Sequence, residues 1–452
     1  MTGLALLLLL STAAGFGALW GIRGWEQWTE MIRLAGLACL LGFGAIGVAL
    51  SWLLSVGGGA GPATVALVAA AIAAAGVAVG ALRGRPLPRG GRVAGRPEPF
   101  LAAAVVCAAL VVVHQLAYLR LAWTQPLVAW DAWAFWTPKA MSIYHDGGLD
   151  PAYFPTFAGP SYPLLVPAMK AASFHLMGGV DVVAVHALFA ALAAVFVYAV
   201  VGLLRPHLPL ALVWPFAALL VVLPEFMRRA LHPQADLTLD YLWVTAALCL
   251  ALWIVRREPW LLPTAAILLA AAVNTKREGQ LLTACLLVAA AAATWRDRRA
   301  AWWRLGALAG VAVASLVPWW SWRARHGVEE WTPGFGPAGY WEHRDRALPG
   351  LRLALELLFS WELWLVAAPV GLGAALVLAL ARPSRLLVLY LGTSALAVLG
   401  FTWMIWGFTF MTIDPSHGAS PMPRMVGALV LLSLAFAPLL LHRALEHAPR
   451  RR

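Results

Sequence analysis

"FLAAAVVCAALVVVHQLAYL", Phe100 to Leu119, runs for twenty residues without an acid, an arginine or a lysine, and it leads directly into "VAWDAWAFWTPKAMSIYHDGG", Val128 to Gly148. A helix of that length rises about 30 Å, the thickness of the hydrocarbon core of a bilayer. Comparable runs recur at 3–22, 34–54, 61–82, 181–204, 208–224, 237–255, 260–273, 280–294, 305–322, 361–381, 386–409 and 425–441. Together they predict about thirteen spans, those between 260 and 294 being short for a ~30 Å core. With 62% of its 452 residues hydrophobic and 12% charged, the chain has too little polar surface to cover a soluble globule. It reads as an all-α polytopic membrane protein.

The net charge of +12 would suit a nucleic-acid partner if it lay on one soluble face. Instead the arginines concentrate in alternate loops: "RGRPLPRGGRVAGR" (Arg83 to Arg96), "WRDRRAAWWR" (Trp295 to Arg304), "ARPSR" (Ala381 to Arg385) and the tail "HAPRRR". Short basic loops mark the cytoplasmic side, so the N-terminus is expected outside and the C-terminus inside, with no nucleic acid as partner. The first run lacks a basic leader and a small-residue cleavage site and is expected to stay as a helix. Cys39, Cys107, Cys249 and Cys285 all fall inside apolar runs without CxxC spacing and read as small buried hydrophobes.

In that orientation the largest external loop is 120–180. It is rich in aromatics, and two short surface-lying helices are expected in it. One follows Pro138 and ends at Gly147-Gly148, and the other lies in "YPLLVPAMKAASFHLMGG" (Tyr162 to Gly179). Further external segments are "PEFMRRALHPQAD" (Pro224 to Asp236), "NTKREG" (Asn274 to Gly279), "RARHGVEEWTPGFGPAGYWEHRDR" (Arg323 to Arg346) and "TIDPSHGASPMPR" (Thr412 to Arg424). The three lysines, Lys139, Lys170 and Lys276, all fall on this outer side.

"WDAWAFWTPKAMSIYHDGG", "GPSYPLLVPAM", "HPQADLTLDYLW" and "NTKREGQLL" together resemble the GT-C superfamily of membrane glycosyltransferases. The likeness is to its family-39-like, dolichyl-phosphate-mannose-mannosyltransferase-like branch and covers about 128–285. It implies a polyprenyl-phosphate-sugar donor, and it carries over to Asp131, Lys139, Tyr162-Pro163, Asp236, Lys276 and Glu278-Gly279. Two positions depart from the pattern: Ser161 stands where an acid is common, and Arg277 where an asparagine is common. Three additional spans precede the one that leads into the motif loop, which divides the chain into 1–99 (additional helices), 100–322 (GT-C-like core) and 323–452 (external loop and C-terminal helices).

Transfer of a sugar from a lipid phosphate needs a base for the acceptor hydroxyl and positive charge for the departing phosphate. Asp131 is the candidate base, since tryptophans around it lower the local dielectric; the competing reading is a helix cap. Lys276 and Arg277 are candidates for the phosphate, or else cations snorkelling at a helix end with Glu278 as partner. Asp236, and Asp240 one turn deeper, are expected to face the bundle interior, orienting a sugar or pairing with Arg228 or Arg229. Trp130, Lys139, Tyr162, His232 and Arg344 complete the expected substrate-binding set. No DxD motif is present, so a divalent metal is not favoured and no cofactor is expected beyond the lipid-phosphate sugar substrate. The acceptor would be a glycan, a lipid or a protein, and membrane lipids would surround the chain. A transporter or lipid-linked-sugar flippase is the alternative; such a protein concentrates its ionisable groups near the bilayer midplane, whereas here they gather at one side.

Overall fold

A backbone in lipid must satisfy its own hydrogen bonds, so long apolar runs of Leu, Ala and Val become helices. In the computed structural model, which describes residues 2–90, 98, 100–329, 336–407 and 422–447, all thirteen runs are helical and no strand forms among the described residues. The helices are α1 (Thr2–Arg23), α2 (Ala35–Ser55), α3 (Pro62–Leu82), α4 (Leu101–Ala122), α5 (Thr137–Asp146), α6 (Leu165–Met177), α7 (Val182–Leu204), α8 (Leu210–Val221) and α9 (Pro224–Ala230). They continue with α10 (Ala235–Arg256), α11 (Leu261–Val273), α12 (Arg277–Ala293), α13 (Arg298–Arg325), α14 (Ala347–Leu358), α15 (Ala367–Ala381), α16 (Arg385–Gly407) and α17 (Met422–His447). Much of the 83–96 stretch, part of the 323–346 loop, most of 412–424 and the tail lie outside the described residues.

Nine of the described helices are long and apolar enough to cross a membrane, or ten if α8 and α9, bent by 68°, form one broken span. This is the make-up of a polytopic α-helical membrane protein. The remaining apolar runs form helices of 12 residues (α8), 13 (α11), 17 (α12) and 15 (α15), each shorter than the ~20 residues a full crossing needs.

Every residue of α10 from Ala235 to Ile254 is buried. That helix packs against α7, α11, α12, α16 and α17 and forms the axis of the bundle. The N-terminal helices share the same core: α2 packs on α6, α7, α11 and α13 as well as on α1.

Connectivity gives the bundle two unlike ends. At one, Arg257 and Arg385 both pair with Asp297, and Glu98 pairs with Arg205 at 2.5 Å. This end carries the basic turns after α3, α10, α12 and α15. The other end carries the 120–180 loop and the N-termini of α10, α12 and α17.

Within that loop, Asp131–Trp136 forms a π-helical turn that runs on into α5, with Pro138 in the first turn of α5. Gly147 (φ +73°) closes α5 and Gly178 (φ +76°) closes α6, left-handed positions that favour glycine. Both loop helices form where expected, but α6 does not lie on the surface. Leu165 to Phe174 are all buried, because α1, α2 and α3 cover one side of the helix and α5 the other.

Candidate functional site

Charged side chains are costly in lipid unless they meet partners, and here they meet at helix starts. Asp236, in the first turn of α10, suits the positive end of its helix dipole. Lys276 caps the start of α12 and Arg424 lies in the first turn of α17, where cations oppose the dipole and need carboxylates to hold them.

Those carboxylates are present. Lys276 Nζ donates to Asp236 Oδ1 at 2.9 Å and pairs with Glu278 Oε1 at 2.8 Å. The Arg424 guanidinium pairs with Asp131, donates to Gln234 Oε1 at 3.4 Å, and stands 3.7 Å from Asp236 Oδ2. The result is a chain of alternating sign: Asp131, Arg424, Asp236, Lys276, Glu278. Its Asp131 end is partly open, with side-chain exposures of 18% for Asp131 and 16% for Arg424, against 5% for Asp236 and 10% for Glu278. Access is therefore from the Asp131 side. The cleft between Asp236, Lys276, Glu278 and Arg424 holds about 10 Å³, roughly the room of one water.

One turn deeper, Arg229 and Asp240 pair at 3.2 Å, both almost wholly buried. A Cβ on Gly427 of α17 would come 3.1 Å from Asp240 Oδ2 and against Arg229 Nη1, so α17 packs directly over this pair and a side chain there would displace the Arg229 guanidinium. Gly279 plays a similar part after Glu278: a Cβ there would meet the Ala272 carbonyl and come 2.8 Å from Leu239, so its absence brings α12 close to α11 and α10.

A second layer is built by the "GPSYPL" turn, Gly159 to Leu164. The Arg277 guanidinium donates to Ser161 Oγ and lies 5.1 Å from the Tyr162 ring centroid. Trp319 Nε1 donates to the Ser161 carbonyl at 3.3 Å, and the Leu165 amide donates to the Asn274 carbonyl at 3.0 Å. Lys139 is buried, donates to the Gly159 carbonyl at 2.6 Å, and sits 3.8 Å from the Phe135 ring centroid, with Trp136 and Tyr162 beyond. Burial, with Arg277 nearby, pushes its amine well below the ordinary lysine range, and burial raises the Tyr162 phenol. This turn therefore fastens the loop helices to the start of α12.

Lys170 of α6 is also fully buried. It donates to Thr137 Oγ1 at 2.7 Å and to the Pro233 carbonyl at 3.0 Å, tying α6 to the start of α5 and to the turn before α10. Burial lowers its amine to about 7. In the same turn, burial and then Arg228 hold the His232 imidazole down at about 4.

Of the expected residues, the structure brings Asp131, Asp236, Lys276 and Glu278 into one network, with Lys139, Tyr162 and Arg277 beside it. Lys276 is 6% exposed and paired rather than snorkelling. Asp131 bonds to a guanidinium rather than capping its helix. Of the two partners considered for the α10 acids, Arg229 holds Asp240, while Arg228 pairs with Glu225 at 2.6 Å. Two expected residues stand apart. Trp130 is exposed, and Arg344 lies in the 3₁₀ turn Arg344–Arg346, exposed and donating to the Trp341 carbonyl at 3.1 Å. Among the described residues no three His, Cys, Asp or Glu side chains gather as metal ligands would. Arg424 and Gln234 were not singled out from the sequence, although an arginine in the first turn of the last apolar run, opposing its dipole, was the available signal.

Two consequences can be measured in the purified protein. Asp240→Ala leaves Arg229 buried without its carboxylate and should cost about 3–5 kcal/mol, seen as a lowered melting temperature. The double change Arg229→Met, Asp240→Leu should cost clearly less, and a double variant as unstable as the two singles combined would refute the pairing argument. For Lys170, the folded amine near 7 lies below its ordinary value of 10.5 in the unfolded chain. Between those values the unfolded state binds the extra proton, so stability rises with pH there, and the penalty is complete below about 7. Lys170→Met should therefore raise the melting temperature most at low pH, with the advantage shrinking as pH rises from about 7 toward 10.5. A difference independent of pH would contradict this.

Comparison of the chain with family models, with curated proteins and with solved structures finds no match.

Proposed function

We propose that this chain is an integral membrane glycosyltransferase of the GT-C type. On this reading it crosses a bacterial plasma membrane with all thirteen apolar helices, N-terminus outside and C-terminus in the cytoplasm. It moves a sugar from a polyprenyl-phosphate donor to an acceptor hydroxyl on the extracytoplasmic face, with inversion. The observation that carries the reading is the alternating network that links Asp131 of the loop through Arg424 to Asp236 and Lys276, at the bundle end away from the basic loops.

The chemistry assigns each member a task. The acceptor oxygen attacks the anomeric carbon and its proton passes to Asp131. The bond between that carbon and the phosphate oxygen breaks, and its electron pair leaves with the phosphate. Lys276 and Arg424 hold the developing charge, as a compact ammonium and a planar fork. Asp236 and Glu278 keep Lys276 in place, and Arg277, stacked near Tyr162, borders the donor site. The cleft has room for about one water, so a donor phosphate enters by replacing carboxylates on Arg424. That exchange frees Asp131 to act as the base. Each acid in the network already faces a cation side chain, which favours neutralisation of the phosphate by side chains rather than by a divalent ion.

A transporter or flippase is the second reading, and the 68° break between α8 and α9 is what favours it, since broken helices line transport sites. Against it, the charged network sits at helix starts.

Asp131→Asn keeps the shape and removes only the basicity, so transfer measured with a polyprenyl-phosphate sugar should fall by about 10²–10⁴-fold while folding and donor binding persist. Activity within a few-fold of the parent would remove Asp131 from the mechanism. For orientation, a cysteine at exposed His145 should react with an impermeant reagent added outside intact cells, and one at exposed Arg299 should not. The reverse pattern would place the network on the cytoplasmic side and defeat the lipid-phosphate reading.

A further inference from the structure

The bundle end opposite the network carries a cleft of about 350 Å³, formed where α1 and α3 end and α11 begins. That volume lies within the range of small-ligand sites. Its lining is basic: Arg23, Arg83 and Arg85 face Glu258 and Trp260.

Local structure sets these arginines in place. At the end of α3 the Arg85 amide reaches back to the Gly80 carbonyl at 2.8 Å around Gly84, whose φ is +59°, so Arg83 and Arg85 flank a tight helix stop. Arg85 Nη2 donates to the Ile22 carbonyl at 2.8 Å, which draws the end of α3 onto the end of α1. Arg23 lies 5.0 Å from the Trp260 ring centroid and pairs with Glu30.

The charge in the cleft is not balanced. Glu258 is engaged by Trp260 Nε1 at 2.6 Å and by His207 at 3.8 Å. Among the described residues neither Arg83 nor Arg85 pairs with a carboxylate. Guanidinium groups at a cleft without carboxylate partners call for an anion, which supplies both the charge and the hydrogen-bond acceptors. The start of α11, a 13-residue helix, adds the positive end of its dipole on the same side.

The cleft lies at three helix ends, with Trp20 bonded to the Pro86 carbonyl at 3.0 Å and Trp260 at its wall, an arrangement that suits headgroup level, where tryptophans stand at membrane interfaces. Beside it the last turns of α3 are open, with Val77, Val79 and Leu82 exposed, which leaves an apolar face next to the arginines.

We propose that this cleft binds the phosphate of an anionic membrane lipid, with its acyl chains along the exposed face of α3. The group recognised is a phosphate, and the apolar face selects a lipid-borne one over the free ion. The inference is independent of the glycosyl-transfer reading.

The test uses the full-length protein in nanodiscs of phosphatidylcholine, with and without phosphatidylglycerol, and in neutral detergent with inorganic phosphate. Bound lipid is read by native mass spectrometry and stability by melting temperature. Phosphatidylglycerol should be retained by the parent and raise its melting temperature. The pair Arg83→Gln, Arg85→Gln should weaken that retention about thirtyfold, while Arg299→Gln, an exposed arginine at the same end, changes it little. Should the double variant fail to fold, Arg83→Gln alone, at an exposed position without an ion pair, should weaken retention about fivefold. Equal stabilisation by inorganic phosphate would assign the cleft to a soluble ligand and overturn the lipid proposal. No preference for phosphatidylglycerol, or an equal loss in Arg299→Gln, would overturn it as well.

Discussion

Arg424 stands between Asp131, on a loop helix, and Asp236, at the start of the central span, and it makes a single assembly of parts nearly three hundred residues apart. The constraint behind this is desolvation. A guanidinium in the first turn of α17 opposes the helix dipole and loses most of its water, so it persists only with carboxylates in reach. The same holds for Lys276 between Asp236 and Glu278. Each cation fixes two acids and each acid a helix end, so the starts of α10, α12 and α17 converge under the loop. Gly279 and Gly427 follow from that convergence: a side chain at 279 would meet the Ala272 carbonyl of α11, and one at 427 would displace the Arg229 guanidinium.

A network closed by its own charges is a resting arrangement. The cations that would hold a phosphate are occupied by carboxylates, and the base that would take a proton is occupied by a guanidinium. An anionic substrate resolves both at once: it offers Arg424 and Lys276 a stronger partner and leaves Asp131 unpaired. On the proposed reading, donor binding and activation of the base are therefore one event. Lys170 and Lys139 are buried ties, one from α6 to the turn before α10 and the other to the "GPSYPL" turn, and they fasten the loop helices beside the cleft.

Much of this was legible in the sequence, because bilayer burial imposes length and composition on a span, and each of the thirteen apolar runs is a helix. The glycine stops of α5 and α6 were legible for a similar local reason. Two lengths were less so: α8 covers only Leu210–Val221 of the run 208–224, between Pro209 and Pro224, and α15 starts only at Ala367 within the run 361–381. The burial of α6 was hidden because its amphipathic pattern does not reveal that α1, α2 and α3 cover it. In the site, Asp236, Lys276 and Glu278 were visible as charges at the mouth of spans. Arg424 was passed over because its partners are distant in sequence. Ser161 and Arg277, far apart in sequence, are bonded to each other, the hydroxyl accepting from the guanidinium, so the turn has a polar tie to the start of α12.

The most direct measurement is a cryo-electron microscopy structure of the full-length protein with a polyprenyl phosphate bound. We expect the phosphate within hydrogen-bond distance of Lys276 and Arg424, the lipid chain leaving between helices, and the Asp131 carboxylate released from Arg424 and facing the vacated space. A phosphate bound elsewhere, for instance at Arg344, with the pairing of Arg424 and Asp131 intact, would contradict the role given to the network.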